Sequence, residues 1–332
     1  MSTTEAVRQG PSPPGHAQAC APVSFVVIAY NEAPNIERCI RSVLGQRGAP
    51  ILEVVVVDDA STDETPAIVA GLGREDRRVK LVRLATNGGR GNARATGVDS
   101  ASGQFVAMVD GDIVLPPDWL ERCLVSLQGH HAAGGKAVPD GDVAYLCRTF
   151  RLSPRGRAST MTLTGNNALF RREVFDRVSF DRDLGEGEDI AFNHAMARAG
   201  LRSTLVASLT VDHRESKSFS QSLRWLYQSG KGGARQLERY RQVRLPDLAF
   251  GGFLASLAAG GGLALTSRAK RFAVGLPLAW LLTVATGHML ACFRPSRGSA
   301  WRFVVATLVD ALMVGSYSAG RLAGHFFRRL GT

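Results

Sequence analysis

The run Val23-Ser24-Phe25-Val26-Val27-Ile28-Ala29-Tyr30 breaks its apolar character only at Ser24. A strand without polar alternation must be covered on both faces, which is the situation of a parallel strand packed between helices. Similar runs recur at 51–57, 79–84 and 105–109, with helix-forming segments between them at 34–44, 63–72 and 92–101. In the first of these helices, Ile36, Ile40, Val43 and Leu44 share one stripe and Pro34 sits in a tolerated first-turn position. Four β units joined by helices predict an α/β fold with a mainly parallel, doubly wound sheet, and such sheets hold ligands at the carboxyl ends of their strands. Between 128 and 163 Gly, Pro and Arg punctuate the chain and no regular period is legible; the rhythm returns with a helix at 189–199 and a strand at 203–211.

The 332 residues carry 40 Lys and Arg against 29 Asp and Glu, a formal +11, and such an excess ordinarily points to nucleic acid. Its distribution argues against that partner. Residues 1–230 hold 26 basic and 26 acidic side chains, whereas 231–332 hold 14 basic and 3 acidic. The excess lies in the most apolar part of the chain, a pairing suited to a membrane with anionic headgroups. Apolar stretches at 248–266, 272–293 and 301–327 each approach the ~20 residues of a spanning helix, so a membrane region is expected at 246–332 with two to three transmembrane helices. His288 interrupts the second stretch, and Asp310 and Arg321 the third. The connections 268–271 and 294–302 are both basic, which leaves the orientation open.

Just ahead of these stretches, 218–245 reads as an amphipathic interfacial helix, with Arg224, Lys231, Arg235, Arg239 and Arg241 beside Leu223, Trp225, Leu226 and Tyr227. Residues 1–22 are rich in Pro, Gly, Ala and Ser and lack the continuous apolar core of a secretory signal, so a flexible tail is expected there. The cysteines, Cys20, Cys39, Cys123, Cys147 and Cys292, are odd in number and contain no C-x-x-C pair, which argues against a disulfide framework or a zinc site. A domain at 23–217 facing the cytoplasm from the inner membrane follows as the expected placement.

Chemistry is expected where the strands end. The first strand ends in Tyr30-Asn31-Glu32 and the second in Asp58-Asp59-Ala60-Ser61-Thr62-Asp63, where carboxylates can accept hydrogen bonds from a ribose or a base N–H. Helix capping accounts for one of these acids but not for three of them in six residues. The fourth strand ends in Asp110-Gly111-Asp112, and two carboxylates turned toward one point, with positions left for a diphosphate, suit Mg²⁺ or Mn²⁺. Glu186-Gly187-Glu188-Asp189 opens a helix, as ordinary dipole complements do, or as a general base that removes a proton from an attacking hydroxyl.

Taken together these motifs resemble the family 2 glycosyltransferases of GT-A fold. The resemblance rests on Val26-Val27-Ile28-Ala29-Tyr30-Asn31-Glu32, Val55-Val56-Val57-Asp58-Asp59-Ala60-Ser61-Thr62-Asp63, Asn87-Gly88-Gly89 with Ala93-Arg94, Asp110-Gly111-Asp112, Thr164-Gly165-Asn166-Asn167 and Gly187-Glu188-Asp189, in the family's order and over about 22–235. The membrane tail makes the chain similar to bacterial polysaccharide transferases of the succinoglycan type. The resemblance implies that Asp58 and Asp59 contact the nucleoside, that Asp110 sits near ribose and metal, and that Asp112 binds the metal bridging the diphosphate. It further implies that Arg94 is a nucleotide-side contact and that Asp189, beside Glu188, is the base of an inverting transfer. His213 matches a histidine that joins the metal in some relatives. Gln221-Ser222-Leu223-Arg224-Trp225 matches a pattern of processive members, which carry larger sets of membrane helices; the competing reading is an interfacial helix anchored by Trp225, with Arg224 on phosphate.

The implied activity is metal-dependent transfer of a sugar from a UDP- or GDP-sugar to a hydroxyl of a lipid-linked glycan in cell-surface or exopolysaccharide synthesis. One rival is a polyprenyl-phosphate sugar synthase, whose anionic acceptor needs no base. Another is a nonenzymatic nucleotide-sugar-binding scaffold. A third is a nicotinamide enzyme built on Gly89-Arg90-Gly91, which lacks the third Gly of the dinucleotide fingerprint and follows the third strand rather than the first.

Overall fold

The computed structural model describes residues 21–137, 141–154, 163, 165–213, 218–241, 243, 245–264, 272–294 and 300–326. Cys20 and nearly all of the expected tail, Thr164, and most of the two basic connections lie outside these residues.

Strands β1 (Val23–Ala29), β2 (Ile51–Asp58), β3 (Val79–Arg83) and β4 (Phe105–Asp110) form a parallel array in the order β3-β2-β1-β4. Helices α1 (Ile36–Leu44), α2 (Thr65–Glu75) and α3 (Gly89–Ser100) connect them. All seven residues of β1 are buried, and they divide by parity: Val23, Phe25, Val27 and Ala29 pack with Ile36, Ile40 and Trp119 on one face, Val26 and Ile28 with Met108, Phe170 and Phe192 on the other. Two-sided burial is what the continuous apolar run requires.

Past β4 the chain adds β5 (Ile113–Val114), α4 (Trp119–Ser126), β6 (Ala132–Ala137), α5 (Gly141–Phe150), β7 (Ser153–Pro154), β8 (Asn167–Arg171), α6 (Glu188–Arg198) and β9 (Ser203–His213). Here the sheet becomes mixed: β8 runs antiparallel to β4 and β6, β9 parallel to β6, and β5 antiparallel to β9. The segment without legible period therefore contains β6 and α5. Its strand reads Ala-Ala-Gly-Gly-Lys-Ala, with no β-branched residue to announce it, because the backbone of β6 approaches its neighbours closely. A Cβ at Gly135 would lie 2.9 Å from both Asn167 Oδ1 and the Leu209 carbonyl oxygen.

The chain continues into α7 (Phe219–Tyr240), α8 (Leu245–Ala264), α9 (Phe272–Cys292), β10 (Phe293–Arg294) and α10 (Ala300–Phe326). Ser218 and Gln221 form a capping box at the start of α7. Two helical segments among the described residues, Val274–Cys292 and Ala300–His325, are long and apolar enough to cross a membrane. The polar residues interrupting the apolar stretches pair with each other: Asp310 accepts from His288 Nδ1 at 2.9 Å, and buried Arg321 pairs with Asp247 of α8.

Rather than lying alone on a surface, α7 runs parallel to α10 and packs against it. Ser316 Oγ donates to the Leu223 carbonyl at 2.7 Å, and a Cβ at Gly320 would collide with the Tyr227 carbonyl, so both helices advance four residues together. Gly230 is equally constrained, since a Cβ there would strike the Tyr317 carbonyl. Small residues at such spacing let helix backbones come into contact.

Candidate active site

A cleft of about 770 Å³ opens at the carboxyl ends of β1 and β4, well within the ~300–1,000 Å³ of small-molecule sites. One wall consists of Tyr30, Asn31 and Glu32 after β1, Asp59 after β2, Asn87 and Arg90 at the start of α3, and Asp110-Gly111-Asp112 after β4. The opposite wall is one face of α7, presenting Gln221, Arg224, Trp225, Gln228, Lys231 and Arg235. Gln221, Arg224, Gln228, Lys231 and Arg235 follow three and four apart, so the polar stripe expected on a membrane surface faces the acids instead.

Of the three acids at the end of β2, only Asp63 bonds at the start of the helix that follows, and the other two bind elsewhere. Asp63 accepts from the Thr65 and Ala33 backbone N–H groups at 3.0 and 3.1 Å. Asp59 accepts from the N–H groups of Gly88 and Gly89 at 2.8 and 2.9 Å, tying the start of α3 to β2 while still lining the cleft. Burial raises the Asp59 carboxyl, and Asp58 beside it adds to the rise against those two N–H bonds. Asp58 is fully buried, lies 3.3 Å from Arg83 Nε, and does not line the cleft. Asp58, expected as a nucleoside contact, stands here as a buried anchor for Arg83.

Arg94, expected as a nucleotide-side contact, is also buried. It is 2% exposed, and its fork reaches Glu188 Oε1 at 2.9 Å, Asp110 Oδ1 at 2.8 Å and the Gly165 carbonyl at 2.6 Å. It links the acid of β4 to the acid of α6 beneath the cleft. Burial pushes the Glu188 carboxyl up to about 7, with Asp189 adding to the rise and Arg94 and Arg90 opposing it. Asp189 follows it on the first turn of α6, half-buried, and accepts from the Gly165 N–H at 3.4 Å.

The loop carrying these acids is clamped between α3 and α7. A Cβ at Gly91 would strike the Asp181 carbonyl, and one at Gly232 would lie 2.5 Å from the Glu186 carbonyl. Gln236 Nε2 donates to the Gly187 carbonyl at 2.5 Å, and Arg90 pairs with Glu186 at 3.0 Å. The Gly89-Arg90-Gly91 segment thus serves loop packing, which removes the motif behind the dinucleotide reading. Gln236 was not singled out in the sequence, and Arg90, Glu186 and Lys231 entered only as members of a glycine motif, an acidic cluster and a basic helix. For α7 the available signal was the run of glycines at 230, 232 and 233 within an otherwise amphipathic helix.

Pairing of Ile113 with His213 across β5 and β9 brings His213 Nε2 to 3.0 Å from Asp112 Oδ2. Among the described residues no group of three or more His, Cys, Asp or Glu side chains is arranged to hold a metal. A carboxylate and an imidazole side by side at the cleft, with Asp110 nearby, nevertheless fit a divalent cation whose remaining ligands come from a bound diphosphate. A second cavity of about 320 Å³ adjoins the cleft and is lined by Asn166, Glu188, Asp189 and His213 among others.

Residues 24–179 match the model of glycosyl transferase family 2. The succinoglycan biosynthesis protein ExoO of Rhizobium meliloti is 39% identical over 197 residues, covering 56% of this chain and 55% of that protein. An N-acetylglucosaminyltransferase of Bradyrhizobium diazoefficiens is 28% identical over 240 residues, covering 64% and 50%. The chain spans 50 to 61% of the length of the first three curated relatives it matches. Among solved structures, the mannosyltransferase PcManGT of Pyrobaculum calidifontis, in complex with GDP-Man and Mn²⁺, matches with a TM-score of 0.56 at 21% identity over 92% of this chain and 87% of that one. GalNAc-T7 with UDP, GalNAc and Mn²⁺ matches with a TM-score of 0.51 at 16% identity, covering 72% and 51%. The fold is that of the GT-A glycosyltransferases.

Proposed function

We propose that the chain, whose residues 24–179 match the model of glycosyl transferase family 2, is a member of that family and transfers a sugar, with inversion, from a UDP- or GDP-sugar to a hydroxyl of a lipid-linked glycan during exopolysaccharide synthesis. The membrane in question is the inner membrane, with the α/β domain on its cytoplasmic side. The observation that carries this reading is the convergence of Asp110, Asp112 and His213 with Glu188 and Asp189 around adjoining cavities. Two solved neighbours holding GDP-Man or UDP with Mn²⁺ add support for the donor class.

The donor's nucleotide lies in the larger cleft along Tyr30, Asn31, Glu32 and Asp59, with its diphosphate toward Asp110 and Asp112. Asp112, His213 and Asp110 would hold Mn²⁺ or Mg²⁺ there, which would offset charge on the departing nucleoside diphosphate. Arg224 and Lys231 supply further positive charge from the facing wall. Asp189 takes the proton of the attacking hydroxyl, and a positioned base of this kind contributes about 10²–10⁴ in rate. Glu188, fixed by Arg94, holds the first turn of α6 in place. A base in this position favours a hydroxyl acceptor over the polyprenyl phosphate of the rival reading.

The test is nucleoside diphosphate release by detergent-purified protein, supplied with UDP- and GDP-sugars, Mn²⁺ or Mg²⁺, and membrane lipid extract. Release should require metal and lipid, and Asp112→Ala should lower it about a hundredfold or more. If no donor turns over and calorimetry detects no binding of UDP or GDP, the reading fails.

A further inference from the structure

Helix α6 carries Asp189 on its first turn, yet it starts at Gly187, which has no side chain to cap it. Gly187 is in the left-handed region, at φ 78°, and its carbonyl accepts the Ala191 N–H at 3.1 Å as the first bond of the helix. Beyond its own helix, Asp189 accepts from the Gly165 N–H at 3.4 Å, a long bond. Where its carboxylate points therefore depends on how the start of α6 is anchored.

Gln236 of α7 supplies that anchor. Its Nε2 donates to the same Gly187 carbonyl at 2.5 Å, taking the lone pair that the helix leaves free. A Cβ at position 187 would lie 1.7 Å from Nε2, so the amide is seated directly on this glycine. The side chain is 5% exposed, and its Oε1 has no hydrogen-bond partner among the described residues. An unpaired buried acceptor is destabilising, so an apolar side chain of similar size would serve packing better. What the amide adds at this position is the donation to Gly187.

The helix carrying the amide is fastened on both sides of the contact. Gly232 lies against the Glu186 carbonyl, Arg235 donates to the Asp183 carbonyl at 2.8 Å, and Arg239 pairs with Asp181 at 2.7 Å. The same stretch of α7 packs on α10, where a Cβ at Gly324 would lie 2.7 Å from the Ala234 Cβ.

We propose that Gln236 is a positioning residue for the transfer step: its bond to the Gly187 carbonyl fixes the start of α6 and with it the place from which Asp189 takes the acceptor's proton. This inference rests on the reading of Asp189 as the base. Gln236 acts through Gly187, and it does not line the larger cavity in which that reading places the donor's nucleotide. Its loss should therefore affect turnover rather than donor binding.

Two variants separate positioning from mere support, each assayed as detergent-purified full-length protein below its own unfolding temperature. Nucleoside diphosphate release from UDP- and GDP-sugars is followed with membrane lipid extract, and nucleoside diphosphate binding by calorimetry. Gln236→Leu nearly keeps the volume and loses the donor group. It should lower kcat about tenfold or more while the donor KM and the nucleotide Kd stay within about twofold. Gln236→Glu can donate to Gly187 only when its carboxyl is protonated, which burial favours. Its kcat relative to the parent should be down about tenfold at about pH 8 and recover to within about threefold at about pH 5.5. Parental kcat in the Leu variant overturns the proposal. A deficit in the Glu variant that is equal at both pH values also overturns it, since a purely structural role would not follow the proton. Asp189→Asn tests the underlying reading: if it releases nucleoside diphosphate as the parent does, or if the parent releases none, that reading falls and the positioning role with it. If Asp189→Asn abolishes release and Gln236→Leu does not lower it, the positioning role alone falls.

Discussion

Asp112 and Lys231 look into one cleft from two kinds of structure. Asp112 stands just past a parallel strand whose buried alternation leaves little choice about where the chain emerges, and its partner His213 is delivered by the ladder between β5 and β9. Lys231 stands on a helix whose position is set by glycines pressed against α10 and the loop before α6. The sheet wall is placed by hydrogen-bond register, the helical wall by close contact of small residues. A register error turns every side chain to the other face, whereas an added methyl group at a helix contact shifts a whole wall by a fraction of an ångström.

This contrast can be broken at several points. The largest effect is expected at Asp189→Asn, which should lower transfer about a thousandfold while nucleotide binding is retained; turnover close to that of the parent would take the base role away from the α6 side. Arg94→Ala separates a structural hub from a ligand contact. It leaves Glu188 and Asp110 without their buried cation and should cost about 3–5 kcal/mol of stability, read by thermal unfolding in detergent. Unchanged stability with weakened nucleotide binding would restore the nucleotide-side role.

Gly320→Leu probes the helical wall, where the new side chain must force α10 away from Tyr227. Overpacking of this kind costs about 1–3 kcal/mol, and the melting temperature should fall while soluble nucleotide still binds. An unshifted melting temperature would mean that the seam between α7 and α10 does not hold the wall. The smallest effect concerns the rear of the sheet. Burial pushes the Glu53 carboxyl up, but hydrogen bonds from Lys80, Ser102 and Ser24 outweigh it and hold it at about 2. Its folded value lies below its unfolded one, so the stabilisation is present above about pH 4.5 and lost as pH falls toward 2. Glu53→Gln should cost about 1–2 kcal/mol at pH 7 and progressively less in acid; a difference independent of pH would point to packing rather than charge.

Much of the sheet wall could be read from residues 23–110 alone. Every strand there is a short apolar run, and the helices between them carry their own stripes, so pattern and burial agree. The acids at the strand ends were equally visible, but their separate tasks were not. Asp59 and Asp63 bind backbone N–H groups of loops distant in sequence, and Arg94 meets Glu188 across 94 positions. Composition cannot distinguish a carboxylate aimed at a ligand from one that fastens a loop. In α7 the amphipathic pattern was correct and the identity of its polar surroundings was not, since a basic stripe suits lipid phosphates as well as a cleft lined with carboxylates.

By itself the sequence determined the parallel half of the sheet, the acids at the strand ends where the cleft opens, and the apolar helices that follow. Those features arise from hydrophobic periodicity and turn chemistry, which act over a few residues at a time. Only the tertiary structure decided that β6 is a strand, that α7 forms a wall of the cleft, that Arg94 is buried between two acids, and that Asp59 and Asp189 line separate cavities. Each of these depends on which distant segments come into contact, a matter of packing and charge neutralisation between groups far apart in the chain.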